Sequence, residues 1–109
     1  MKEDLHKTRW TRLAIRLHVP STMGVFFVTA RGRAVAGEVF VVGSATNLRK
    51  RLLELLDLEA LRDKSAGVVH WVSDLTEEQA RLAERLFVRR YDPPLKGDSG
   101  SRYLDILAG

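Results

Sequence analysis

The stretch Gly43-Ser44-Ala45-Thr46-Asn47-Leu48-Arg49-Lys50-Arg51-Leu52 decides the fold. Just before it runs Glu38-Val39-Phe40-Val41-Val42, β-branched and aromatic, the composition of a buried strand. Just after it, Leu48, Leu52, Leu55 and Leu56 recur at helical spacing. Between the two, Thr46 or Asn47 offers a side-chain oxygen that can cap the first turn. A strand therefore passes through a glycine and a short polar turn into an amphipathic helix.

Upstream, Gly24-Val25-Phe26-Phe27-Val28-Thr29 is a second buried strand, and the glycine-bearing 31–37 segment is the loop of a hairpin joining the two. Leu13-Ala14-Ile15-Arg16-Leu17-His18-Val19 alternates apolar and other residues, which predicts a strand ending at Pro20. Lys2 to Trp10 reads as a helix or a disordered arm. Downstream, Lys64 to Gly67 is a turn and Val68-Val69-His70-Trp71-Val72 a further strand. A second helix starts at Asp74 or Thr76, where Thr76-Glu77-Glu78-Gln79 matches a capping box, and runs to about Tyr91 before Pro93-Pro94. This order predicts a small α+β domain with a largely antiparallel sheet flanked by helices.

The chain has 109 residues and no cysteine. That fits one compact domain and excludes disulfide frameworks, thiolate zinc sites and thiol nucleophiles. The longest stretch free of Asp, Glu, Lys and Arg, Leu17 to Ala30, is too short to span a bilayer. MKEDLHKTRW lacks the apolar core of a signal peptide, so a cytoplasmic location is expected. The net charge of +4 is unevenly spread. Residues 19–51 carry five basic groups and one acidic, whereas residues 52–84 carry three basic and eight acidic. Thirteen of the eighteen cations are Arg, whose planar fork grips phosphate. Genome bias produces the same excess, so charge alone leaves an anionic partner as one of two readings.

Two charged residues fall where apolar ones belong. At 100° per residue, Arg51 lies about 60° from Leu48, on the flank of the leucine stripe. Glu84 falls among Ala80, Phe87 and Val88 on the inner face of the second helix. Buried charges need partners. Mutual pairing, or snorkelling to water, would make both structural; a metal- or phosphate-handling site would make both functional.

With these residues in place, the sequence resembles a GIY-YIG nuclease domain, the module of some homing endonucleases, excision-repair incision enzymes and restriction enzymes. Gly24-Val25-Phe26 corresponds to the first named motif and Val41-Val42-Gly43 to the second. The Gly43–Leu52 stretch resembles the family's passage into its first helix. Glu84-Arg85-Leu86-Phe87-Val88-Arg89-Arg90-Tyr91-Asp92-Pro93 resembles its helix leading to a proline. The match covers residues 20–96, making 1–19 an extension and 97–109 a tail of a single domain.

The resemblance implies that Arg51 stabilises phosphate and that Glu84 binds a single Mg2+ ion. It also implies nucleic acid, expected to be DNA, as partner. Arg31, Arg33, Arg49 and Lys50 are the candidate cations around it. The family's two motif tyrosines help activate water, and here Phe26 and Val41 replace them; the family's asparagine falls on Lys96. A phenyl ring and an isopropyl group cannot handle a proton, and a positioned base is worth on the order of 10²–10⁴ in rate. His70, Tyr91 and Tyr103 are the residues that could stand in. Three functions follow: a divergent Mg2+-dependent endonuclease, a nucleic-acid-binding module that has lost catalysis, or a protein-interaction domain, such as a homodimer. Gly97-Asp98-Ser99-Gly100 has the look of a serine-protease motif, but a chain this short cannot house that fold.

Overall fold

The central strand is the one whose residues have nowhere to meet water. Val25, Phe26, Phe27 and Val28 are all buried, because their strand is flanked on both edges and covered on both faces. The structure, a computed structural model, describes residues 5–30, 39–58, 66–91 and 95–96. Its elements are β1 (His6–Arg9), α1 (Arg12–His18), β2 (Gly24–Ala30), β3 (Val39–Ala45), α2 (Leu48–Leu56), β4 (Ala66–Val72), α3 (Glu77–Tyr91) and β5 (Leu95–Lys96). The sheet order is β1-β4-β2-β3-β5. Every pairing is antiparallel except β3 with β5, which is parallel. The fold is thus α+β, as the element order predicts. No helix among the described residues is long and apolar enough to cross a membrane.

Residue alternation divides the core into two layers. Phe26, Val28, Val41, Val69 and Trp71 face Ile15 of α1 and Leu48, Leu52 and Leu55 of α2. Phe27, Val39 and Val42 face Phe87 and Val88 of α3. Val39 and Val42 share a face because the register passes from Val28↔Val41 to Thr29↔Val39, leaving Phe40 as the extra residue of a bulge.

The predicted strand at 13–19 is a helix instead. Thr11 caps α1, its hydroxyl accepting from the Ala14 amide at 3.2 Å. Ile15 and the C-capping Val19, four residues apart, are both fully buried. Leu13 and Leu17, which make the pattern look alternating, are 69% and 66% exposed. Arg16 and His18 lie in the last turn, where cations suit the helix dipole. The segment before it is neither helix nor arm where described: β1 pairs antiparallel with β4, Lys7 opposite His70. The hairpin loop, with Arg31 and Arg33, lies outside the described residues, as do Pro93-Pro94 and Tyr103.

The two motif glycines permit close approach. A Cβ on Gly43 would come within 2.8 Å of the Phe26 ring, and one on Gly24 within 2.1 Å of the Val72 carbonyl oxygen. Gly43 thus makes room for Phe26, and Gly24 for the neighbouring strand.

Candidate functional site

The loop between β3 and α2 is fixed by its own backbone. Asn47 is the cap, its side-chain oxygen accepting from the Lys50 amide at 3.0 Å. The Leu48 amide donates to the Thr22 carbonyl at 3.1 Å and the Arg49 amide to the Pro20 carbonyl at 3.2 Å. The Arg51 amide closes the first intrahelical bond, to the Asn47 carbonyl, at 3.0 Å. The amide donors of the first turn, which a helix N-terminus could offer an anion, are therefore already engaged.

Lys50 is exposed and stands on the first turn of α2. Arg51 is half-buried, and its guanidinium reaches Glu54 on the same helix at 3.5 Å. A contact that long, between partly exposed groups, is weak. Arg49 has a structural duty that its sequence position does not reveal: its Nε donates to the Val19 carbonyl at 2.8 Å, tying α2 to the end of α1. Arg12 pairs with Asp57 across the same two helices.

Glu84 is 5% exposed, deep on the inner face of α3. The Ser44 hydroxyl donates to its Oε1 at 2.7 Å, an ordinary hydroxyl–carboxyl hydrogen-bond distance. Ser44 alternates with Gly43 on β3 and so points to the α3 layer. The sequence places Ser44 in the quoted stretch without assigning it a role; its alternation after Gly43 is the signal that could have done so. The contacts described are thus Arg51 with Glu54 and Ser44 with Glu84, on helices that cover opposite faces of the sheet. Beside Ser44, a cleft is lined by Met23, Ala45, Thr46, Glu77, Ala80 and Arg81.

Phe26 and Val41, which the resemblance sets at the tyrosine positions, are each 1% exposed in the α1/α2 layer. His70 stacks on Phe27, ring centroids 4.5 Å apart, in the other layer. Burial, reinforced by the nearby Lys7 charge, lowers its pKa below the ordinary histidine value. Tyr91 leans on the same Phe27 ring at 5.2 Å. Both candidate stand-ins are therefore packed against an aromatic core. Lys96 lies in β5 opposite Val42.

Among the described residues, no group of three or more His, Asp or Glu comes together to hold a metal. A Mg2+ ion on Glu84 would be of the single-carboxylate kind, completed by water and the bound phosphate. The Glu84 carboxylate is buried, with Oε1 accepting from Ser44. Comparison with models of known families, with curated proteins and with solved structures finds no match to this chain.

Proposed function

We propose that this chain is a GIY-YIG-like domain that binds nucleic acid, DNA in the first instance, through the Lys50 and Arg51 end of α2. The observation that carries the reading is the Ser44–Glu84 hydrogen bond. It joins the Gly43–Leu52 passage, the best-preserved stretch of the resemblance, to the Glu84 helix across the β3–α3 interface.

Binding is favoured over cleavage by the state of the core. Phe26 and Val41 carry no hydroxyl and are sealed in an apolar layer. Lys50 and Arg51 supply the phosphate-facing charge. Glu84 serves first as a structural carboxylate holding β3 to α3. Cleavage is the second reading, favoured by the presence of Glu84 itself: a Mg2+ ion held there would supply a Lewis acid for phosphodiester hydrolysis.

The two readings separate in one experiment. Labelled duplex and branched DNA are titrated at several salt concentrations, and supercoiled plasmid is incubated in parallel with Mg2+. Salt-sensitive binding without nicking supports the first reading. Nicking abolished by Glu84→Gln supports the second, and absence of binding at low salt rejects both.

A further inference from the structure

The outer face of α3 carries two exposed leucines. Leu82 is 58% exposed and Leu86 is 55% exposed, one turn apart. They border an apolar groove floored by Val72 and walled by Leu5 and Leu75. Charge is arranged about this pair in a definite sense. Glu77 and Glu78 occupy the first turn of the helix, and Arg89 and Arg90 the last. At 100° per residue, Glu78 and Arg89 lie within about 40° of Leu82, so the sequence acid, leucine, leucine, base follows one stripe. Among the described residues Arg81 pairs with Glu77, while Glu78 and Arg89 have no ion pair.

We propose that a second copy of this chain docks on that face, the two α3 helices packing antiparallel about a two-fold axis near residue 84. A two-fold interface must be self-complementary, and this stripe is. With the axis there, Leu82 meets the partner subunit's Leu86, and Glu78 meets the partner subunit's Arg89 and Arg90. A parallel arrangement would set arginine against arginine. The contact is centred on one helix and is small for a protein interface, so dimerisation is concentration-dependent. It stands independently of the nucleic-acid reading and leaves the Lys50 end of α2 uncovered.

Sedimentation equilibrium over a wide range of protein concentration is the test, with circular dichroism to show that each variant is folded. The wild type forms a dimer. Leu82→Glu with Leu86→Glu, both at exposed positions, gives a folded monomer. Glu78→Arg alone weakens the dimer about tenfold or more through like-charge contacts, and so does Arg89→Glu with Arg90→Glu. Mixing these two charge variants restores association as a heterodimer, because every reversed contact is then matched. A wild type that is monomeric throughout, including one that instead captures a foreign helical peptide, overturns the proposal. So does a dimer indifferent to the leucine substitutions, and failure of the mixed charge variants to associate overturns the antiparallel geometry.

Discussion

The Ser44 hydroxyl donates to Glu84 Oε1 at 2.7 Å, linking the end of β3 to the middle of α3 across 40 positions of sequence. Removing the donor leaves a buried carboxylate short of a hydrogen bond. Ser44→Ala is expected to cost about 1–3 kcal/mol of stability, read as a lower urea midpoint. Glu84→Gln keeps an acceptor for Ser44 and is expected to cost less than Glu84→Leu. Equal losses for the two Glu84 variants would contradict a hydrogen-bonding role.

Gly43 has its own constraint. An added Cβ meets the Phe26 ring at 2.8 Å, so Gly43→Ala is expected to destabilise by about 1–3 kcal/mol through overpacking. Phe26→Leu in the same chain relieves part of that clash, a non-additive result in a double-mutant cycle. Gly24→Ala, which drives its methyl into a backbone carbonyl, has no such rescue.

Tyrosines placed at positions 26 and 41 are not expected to confer nuclease activity. Phe26 is 1% exposed in an apolar layer, and a hydroxyl placed there costs about 1–3 kcal/mol unless it finds a partner. Phe26→Tyr with Val41→Tyr is therefore expected to lower the denaturation midpoint and leave plasmid DNA intact. Efficient Mg2+-dependent nicking by a variant of undiminished stability would refute this view of the site.

His70 makes the fold acid-sensitive. Its pKa is lowered by burial against Phe27 and by Lys7, so the unfolded chain takes up the proton first. Stability is full above the unfolded histidine value and falls as pH drops through it toward the lower folded value. His70→Phe removes this component. Urea midpoints measured from neutral to mildly acidic pH should drop more for the wild type than for the variant, and parallel curves would count against it.

The legible parts of the structure are those set by short-range chemistry. Asn47 and the Thr76–Gln79 box cap their helices because a side-chain oxygen reaches an amide three residues on, in both at 3.0–3.1 Å. The strands at 24–29, 39–42 and 68–72 declared themselves by composition. Residues 13–19 misled because Leu13, Ile15, Leu17 and Val19 satisfy a period of two, while only the Ile15–Val19 spacing of four meets the core. Which helix covers which face, and that Glu84 finds Ser44 rather than Arg51, depends on sheet order and on the bulge at Phe40. Neither has a local signature. The α1 assignment has a direct check: Ile15→Ala is expected to cost about 2–5 kcal/mol, whereas Leu17→Lys, at an exposed position, is expected to be near neutral.

Whether the Lys50 and Arg51 end of α2 grips nucleic acid is read by fluorescence anisotropy of labelled duplex DNA across a salt series. The wild type is expected to bind, with affinity falling linearly in log–log terms as salt rises. Lys50→Glu with Arg51→Glu is expected to lose most of that affinity and flatten the slope while remaining folded. Binding unchanged by the double substitution, or no binding by the wild type at low salt, would rule out a nucleic-acid grip by Lys50 and Arg51.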